Sequence, residues 1–165
     1  MTLRPARRAE AEALAQLHVA AWQDAHAAFS PAATKALTAA RRLPTWQSYL
    51  ADPTQHVLVA EHGSTLAGLV CFGPASQAAL GDQAEIKHLF VAASARHQGV
   101  GKSLLQAALT QSTQHGFTKV TLAVVQENTT ARAFYKSCGG QETGTFTDAG
   151  PLWKSTNTII EWSLP

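Results

Sequence analysis

At 165 residues the chain fits one ordinary domain spanning 1–165, long enough to enclose a sizeable core and short for two. Its 45% apolar and 15% charged residues exclude a disordered segment. Thirteen Lys and Arg against eleven Asp and Glu leave a formal charge of +2, and the basic residues are scattered, which excludes the basic stripe of a nucleic-acid surface.

The opening stretch MTLRPARRAEAEAL reaches polar residues at once, without the apolar run of a secretory signal, and no stretch approaches a membrane span. A cytoplasmic protein with no membrane partner is expected. Leu14, Leu17, Ala21 and Trp22 recur at helical spacing, which predicts an amphipathic helix between Ala9 and Phe29, stopped by Ser30-Pro31. A second helical region runs from Ala32 to Leu50, interrupted near Pro44 and ended by Asp52-Pro53. The runs HVLVAE (56–61) and TLAGLVCF (65–72) flank His62-Gly63-Ser64 and read as a hairpin, with Gly73-Pro74 ending its second strand.

AEIKHLFV (84–91) is a further strand, followed by a helix from Val100 to His115 whose Val100, Leu104, Leu105, Ala108 and Leu109 share one face. KVTLAVV (119–125) is then a buried strand. Asn128 to Ser137 is a short helix with a capping Asn and a Gly139-Gly140 stop. Alternation at Ile160, Trp162 and Leu164 predicts a last half-buried strand. A hairpin in front and a strand-helix-strand-helix unit behind give a mixed α/β sheet without internal repeats. Cys71 and Cys138 lie far apart without ligands at metal spacing, so reduced thiols and no metal are expected.

The chemistry-bearing stretch is Arg96-His97-Gln98-Gly99-Val100-Gly101-Lys102-Ser103, set between a strand and a helix. Glycines at 99 and 101 let the backbone press its N–H groups against a ligand, and a helix start adds unpaired amides and a positive dipole end, together a phosphate site. A tight turn that merely needs glycine is the alternative. Gly101-Lys102-Ser103 also resembles the end of a Walker A loop, but that loop needs glycine at position 96, where Arg stands, and LAVVQEN offers no magnesium-holding Asp. No G-x-G-x-x-G can be written here either.

The segment resembles the acyl-CoA motif Q/R-x-x-G-x-G/A of the GCN5-related N-acetyltransferases (the GNAT family), with Arg96, Gly99 and Gly101 at the defined positions. EIKHLFV looks like that family's fourth strand, VGKSLLQAAL like its third helix, KVTLAVV like its fifth strand, and NTTARAFYKSCG like the motif that follows. Strong similarity covers Ala84 to Gly140. Gly140 departs from an aromatic residue common after glycine, and the loop Ala92-Ala93-Ser94-Ala95 lacks a proline.

The resemblance implies a GNAT-like α/β fold, with a mixed, mostly antiparallel sheet splayed between strands four and five and flanked by helices. It implies acetyl-CoA as co-substrate, with no metal, and transfer to a primary amine by direct attack in a ternary complex. Backbone groups at Leu89, Phe90 and Val91 would pair with the pantetheine arm, the amides from Gln98 to Lys102 would hold the pyrophosphate, and Arg96, Arg132 or Lys136 would meet the outer phosphate or be solvated charges. The remainder of the turn, His97, Val100 and Ser103, belongs to the same cofactor site. Asn128 caps its helix and is a further cofactor contact. Tyr135 is the acid for the departing thiolate, or else a core aromatic. Glu85 would be the general base, or else a solvent-exposed strand end, with His88 or water as alternative bases, and simple alternation puts those two on opposite strand faces unless a bulge shifts the register. A backbone N–H near Phe90 is the oxyanion donor. The acceptor, a small-molecule amine or a peptide or protein amine, would lie near Trp22, His26, Phe29, Trp46 and Trp153, or else those aromatic residues are core. A catalytically inactive acyl-CoA-binding module and, more distantly, a P-loop nucleotide binder are the competing functions, and monomer and homodimer both stay open.

Overall fold

The computed structural model describes residues 1–150 and 153–165. Seven strands, β1 (Thr2–Pro5), β2 (His56–His62), β3 (Thr65–Pro74), β4 (Ala84–Val91), β5 (Lys119–Val125), β6 (Gln141–Asp148) and β7 (Ser155–Ser163), make one sheet in the order β1-β2-β3-β4-β5-β7-β6. Only β4 and β5 pair in parallel. Five helices flank the sheet: α1 (Ala11–His26), α2 (Pro31–Ala36), α3 (Ala39–Ala51), α4 (Val100–Gln114) and α5 (Thr129–Ser137).

The predicted hairpin turns at Gly63, whose φ of 61° lies in the left-handed region open to glycine. Its strands carry apolar side chains to both faces, so β3 is buried for most of its length. On one face Leu14 and Ala15 of α1 and Trp46 of α3 pack on Val57, Val59, Leu69 and Cys71. On the other, Val100, Leu104, Leu105 and Ala108 of α4 pack on Val70, Phe72, Ile86 and Val120. The helical periodicities of α1 and α4 are thus the imprints of the two sheet faces.

The elements differ from the sequence reading in the second helical region and at the sheet edges. The second helical region breaks at Leu37-Thr38, where Thr38 caps α3 by accepting from the Arg41 N–H at 3.3 Å. Pro44 stays inside α3. Strands β1 and β6 were not foreseen, because both are sheet edges: β6 is exposed along most of its length, so no buried face imposes an apolar alternation. Gly140 is explained by β7, since a Cβ there would sit 2.5 Å from Ile160 and 2.8 Å from Trp162. The Trp162 indole fills the space an aromatic residue at 140 would need, and donates to the Cys138 carbonyl at 3.0 Å.

Candidate active site

The β3–β4 ladder runs Cys71↔His88, then Phe72↔Ile86, so Lys87 is the extra residue of a β-bulge. A bulge bends its strand and sharpens the local twist. The parallel ladder to β5 consists of Ala84↔Val120 and Glu85↔Thr121 and ends there, two residues before Lys87. Beyond that point β4 and β5 diverge, and the β4 edge at Leu89, Phe90 and Val91 borders an open cleft of about 1040 Å³.

The bulge also corrects the alternation expected for Glu85 and His88. Cys71 and Gly73 share one face of β3, and their partners are His88 and Glu85, so both side chains lie on the face covered by α1 and α3. Glu85 is 5% exposed, not a solvated strand end. Its Oε2 accepts from the Ser76 N–H at 2.8 Å, the Ser76 hydroxyl at 2.9 Å and Lys87 Nζ at 3.0 Å. Those bonds satisfy a buried carboxylate and leave Oε1 with no hydrogen bond from the described residues. His88 sits among His18, Trp46, Tyr49 and Phe90. Burial, reinforced by the positive charges of Arg42 and Lys87, pushes its pKa down to about 3, so at neutral pH it is an uncharged imidazole and a weak base.

At the far side of the cleft, α4 begins without a side-chain cap. Its first backbone acceptor, the Gly99 carbonyl, takes the Ser103 N–H at 3.0 Å, so the N–H groups of Val100, Gly101 and Lys102 have no partner within the helix. Left-handed Gly99 (φ 80°) followed by helical Val100 is the alternation that turns successive N–H groups to one side. His97 is left-handed as well (φ 61°), an uncommon state for a residue with a Cβ. Gly101 fronts the cleft between Val91 and Phe134: a Cβ would meet each at 3.4 Å.

Tyr135 of α5 borders the same cleft. Its ring packs edge-on against Phe134 and Trp162, and burial raises its phenol pKa, so the hydroxyl keeps its proton at neutral pH. Asn128 caps α5 by accepting from the Ala131 N–H at 3.1 Å, and it also lines the cleft.

The structure therefore brings Glu85, Leu89 to Val91, Arg96, His97, Gly99 to Lys102, Asn128 and Tyr135 to one cavity. Gln98, Ser103, Arg132 and Lys136 do not border it. Arg132 forks onto Glu142 at 2.9 and 3.2 Å, and Arg96 pairs with Asp24 of α1. Of the aromatic residues expected near the acceptor, Trp22, His26, Phe29 and Trp153 line the cleft, with Trp22 stacked on His26 at 4.5 Å. Trp46 takes the core reading: it is fully enclosed between α3 and the sheet, its indole donating to His18 Nδ1 at 3.3 Å.

Sequence reasoning overlooked two residues here. His18 lies four positions after Leu14 on the apolar face of α1, a spacing that could have disclosed it. Arg42 was visible only as half of an Arg-Arg pair. Among the described residues no group of three or more His, Cys, Asp and Glu is arranged to hold a metal ion, and no helix is long and apolar enough to cross a membrane.

Residues 11–140 match the sequence model of the Acetyltransferase (GNAT) family. The chain is 30% identical over 101 residues to N-acetyltransferase family 8 member 3 of Rattus norvegicus, covering 61% of this chain and 44% of that one. It spans about half the length of the curated relatives it matches. Its fold is similar to that of a ribosomal-protein-alanine N-acetyltransferase from Brucella melitensis, with a TM-score of 0.75, 22% identity and coverage of 99% and 100% of the two chains. It is also similar to a PaiA N-acetyltransferase from Thermoplasma acidophilum in complex with coenzyme A, with a TM-score of 0.76, 19% identity and 98% of each chain covered.

Proposed function

This chain belongs to the acetyltransferase (GNAT) family, and from that membership we propose that it is an N-acetyltransferase, moving the acetyl group of acetyl-CoA to a primary amine by direct attack in a ternary complex. The observation that carries this reading is the wedge between β4 and β5, which joins an unpaired strand edge, an uncapped helix start and a buried tyrosine in one cavity.

The residues present fit acetyl-CoA. The free amides of Val100, Gly101 and Lys102 and the positive end of α4 suit a pyrophosphate, and the β4 edge at Leu89 to Val91 suits the amides of a pantetheine arm. Lys102 borders the cleft mouth and makes no ion pair among the described residues, which makes it a stronger candidate for the outer phosphate than Arg96 or Arg132. Acetyl-CoA supplies an acetyl thioester already activated toward amines.

The amine must arrive neutral, and an alkylamine of pKa about 10.4 is less than about one part in a thousand neutral at pH 7. Glu85 Oε1 takes that proton, directly or through water. As the N–C bond forms the C–S bond breaks and its electron pair stays on sulfur; the Tyr135 hydroxyl donates a hydrogen bond to the departing thiolate, and the second proton of the amine nitrogen leaves through water to solvent. A backbone N–H near Phe90 donates to the carbonyl oxygen as charge develops there.

Thermal melting with ligands tests the reading. Acetyl-CoA at one hundred times its dissociation constant should add about 2.7 kcal/mol of stability, and mixed amines should then release free thiol. Stabilisation by ATP with magnesium and none by acetyl-CoA would overturn the proposal, and binding without thiol release from any amine would reduce the protein to an acyl-CoA-binding module.

Gly101→Val puts two methyls between Val91 and Phe134 at the entrance to the cradle. Losing one charge-assisted bond of about 1.5–3 kcal/mol should weaken CoA binding by about 10- to 100-fold in calorimetry, with the cooperative thermal transition retained. Normal CoA affinity would show that this turn does not hold the phosphates.

Glu85→Gln should slow turnover chiefly at low pH, where free amine is scarce, and the deficit should close as pH approaches the amine's own pKa of about 10.4. A pH-rate profile parallel to that of the wild type would assign Glu85 to holding Lys87 and the Ser76 turn.

A further inference from the structure

The acceptor end of the cleft holds a cation with nothing to neutralise it. Arg42 lines the cavity, is half-buried, and has a buried Nε with no hydrogen-bond partner. Among the described residues no carboxylate pairs with it. The neighbouring carboxylate on that face, Glu85, is committed to Lys87. The groups around Arg42 are Tyr49, His18 and His88, and the two imidazoles are held neutral by burial. Arg42 also lies in the first turn of α3, where the helix dipole disfavours a cation. An arginine partly desolvated, unpaired among the described residues and at the wrong end of a helix is costly unless a ligand supplies the missing anion.

Resting on the acetyltransferase reading, we propose that the acceptor is an amine bearing its own carboxylate, an α-amino acid with an apolar or aromatic side chain, and that Arg42 pairs with that carboxylate. A guanidinium matches a carboxylate bidentately. One free guanidinium suits a monoanion better than a phosphate dianion: the neighbouring Arg41 is exposed and donates to the Ala36 carbonyl at 3.1 Å, and Lys87 is already paired. The side chain would meet the corner formed by Trp22, His26, Phe29 and Trp153, whose rings lie 4.5–6.4 Å apart in successive contacts. The reaction is balanced as before: the amine nitrogen loses a proton and gains the acetyl group, the thiolate leaves, and the carboxylate is unchanged.

Phenylalanine and phenethylamine differ by that carboxylate alone. Wild-type protein with acetyl-CoA should prefer phenylalanine by about 10²-fold in kcat/KM, the usual scale for a desolvated charge pair. Arg42→Met, which keeps the apolar stem and removes the charge, should abolish the preference while leaving the KM for acetyl-CoA unchanged, and Arg42→Lys should restore part of it. Calorimetry gives a readout independent of turnover: N-acetylphenylalanine should bind the CoA-loaded protein more tightly than N-acetylphenethylamine, and the difference should vanish in Arg42→Met. Phenylalaninamide should behave like phenethylamine.

Equal kcat/KM for the two amines in the wild-type protein would overturn this inference and leave the N-acetyltransferase reading standing, and should Arg42→Met fail to fold, that comparison decides alone. A preference for phosphoethanolamine over phenylalanine would overturn the carboxylate assignment. Thiol release from none of these amines, when the mixed-amine assay does release thiol, would overturn this inference and leave the N-acetyltransferase reading standing.

Discussion

Tyr135→Phe should lower the single-turnover rate constant for acetyl transfer by about 10²-fold, the lower end of the range for a general acid, with CoA affinity unchanged. The ring is held by Phe134 and Trp162, so phenylalanine keeps the packing and loses one hydroxyl. Burial raises the phenol pKa, which fixes the size of the effect. A thiol has a pKa of about 8.5 and an ordinary tyrosine about 10, so complete proton transfer is uphill by at least about 2 kcal/mol. The hydroxyl therefore acts mainly by hydrogen bonding to the sulfur as its charge grows. Rapid-quench transfer at saturating acetyl-CoA, set beside calorimetry with CoA, separates the outcomes. Equal rates would make Tyr135 a packing residue, and a large loss of CoA affinity would make its hydroxyl a cofactor contact.

Acidification from pH 7 to pH 5 should destabilise the fold by about 2–4 kcal/mol, before the carboxylates begin to titrate. Burial drives the pKa of His18 down to about 2, helped by the positive potential of His88, Arg42 and His26, and His88 is driven to about 3. The unfolded chain takes up protons on these imidazoles below about pH 6.5, whereas the folded protein does not until far lower pH. Stability is therefore complete above about pH 6.5 and is lost as pH falls, by about 1.4 kcal/mol per pH unit for each histidine. Fully enclosed His18 accounts for about 2 kcal/mol at pH 5, and less enclosed His88 adds up to the same amount.

The Trp46 indole requires this protonation state, because it donates to His18 Nδ1 at 3.3 Å and a protonated ring has no lone pair there. Urea unfolding at half-unit steps from pH 7.5 to 5 measures the slope. His18→Phe should remove the His18 share of it, at the cost of an unpaired indole N–H. Stability constant down to pH 5 in the wild-type protein would mean that both imidazoles take up protons within the fold.

The elements that bury a face could be read from the sequence, as could the glycine-bearing turn before α4. The α1 and α4 periodicities, the 56–72 hairpin and strands β4 and β5 were legible because each must present apolar side chains to a sheet or helix at a fixed spacing, and α5 was legible from its capping Asn and its glycine stop. The turn at Gly99 was legible because a left-handed glycine at a helix start is a local backbone feature, so local sequence is sufficient. Edge strands β1 and β6 were not legible, since neither has a buried face to impose a pattern.

What depends on pairing across the sheet emerged with the three-dimensional packing. The bulge at Lys87 exists because β3 and β4 differ by one residue in register, and no window along β4 alone contains that information. The bulge puts Glu85 and His88 on one face, ends the β4–β5 ladder and thereby opens the cleft. Trp22 and Trp46 looked alike in sequence as apolar helix residues, yet one lines the cleft and the other closes the core, because α1 borders the wedge while α3 seals Trp46 against the sheet. Arg42 became conspicuous only when its surroundings showed that no carboxylate had been folded against it: a charge's partner is a property of three-dimensional packing, not of its neighbours in the chain.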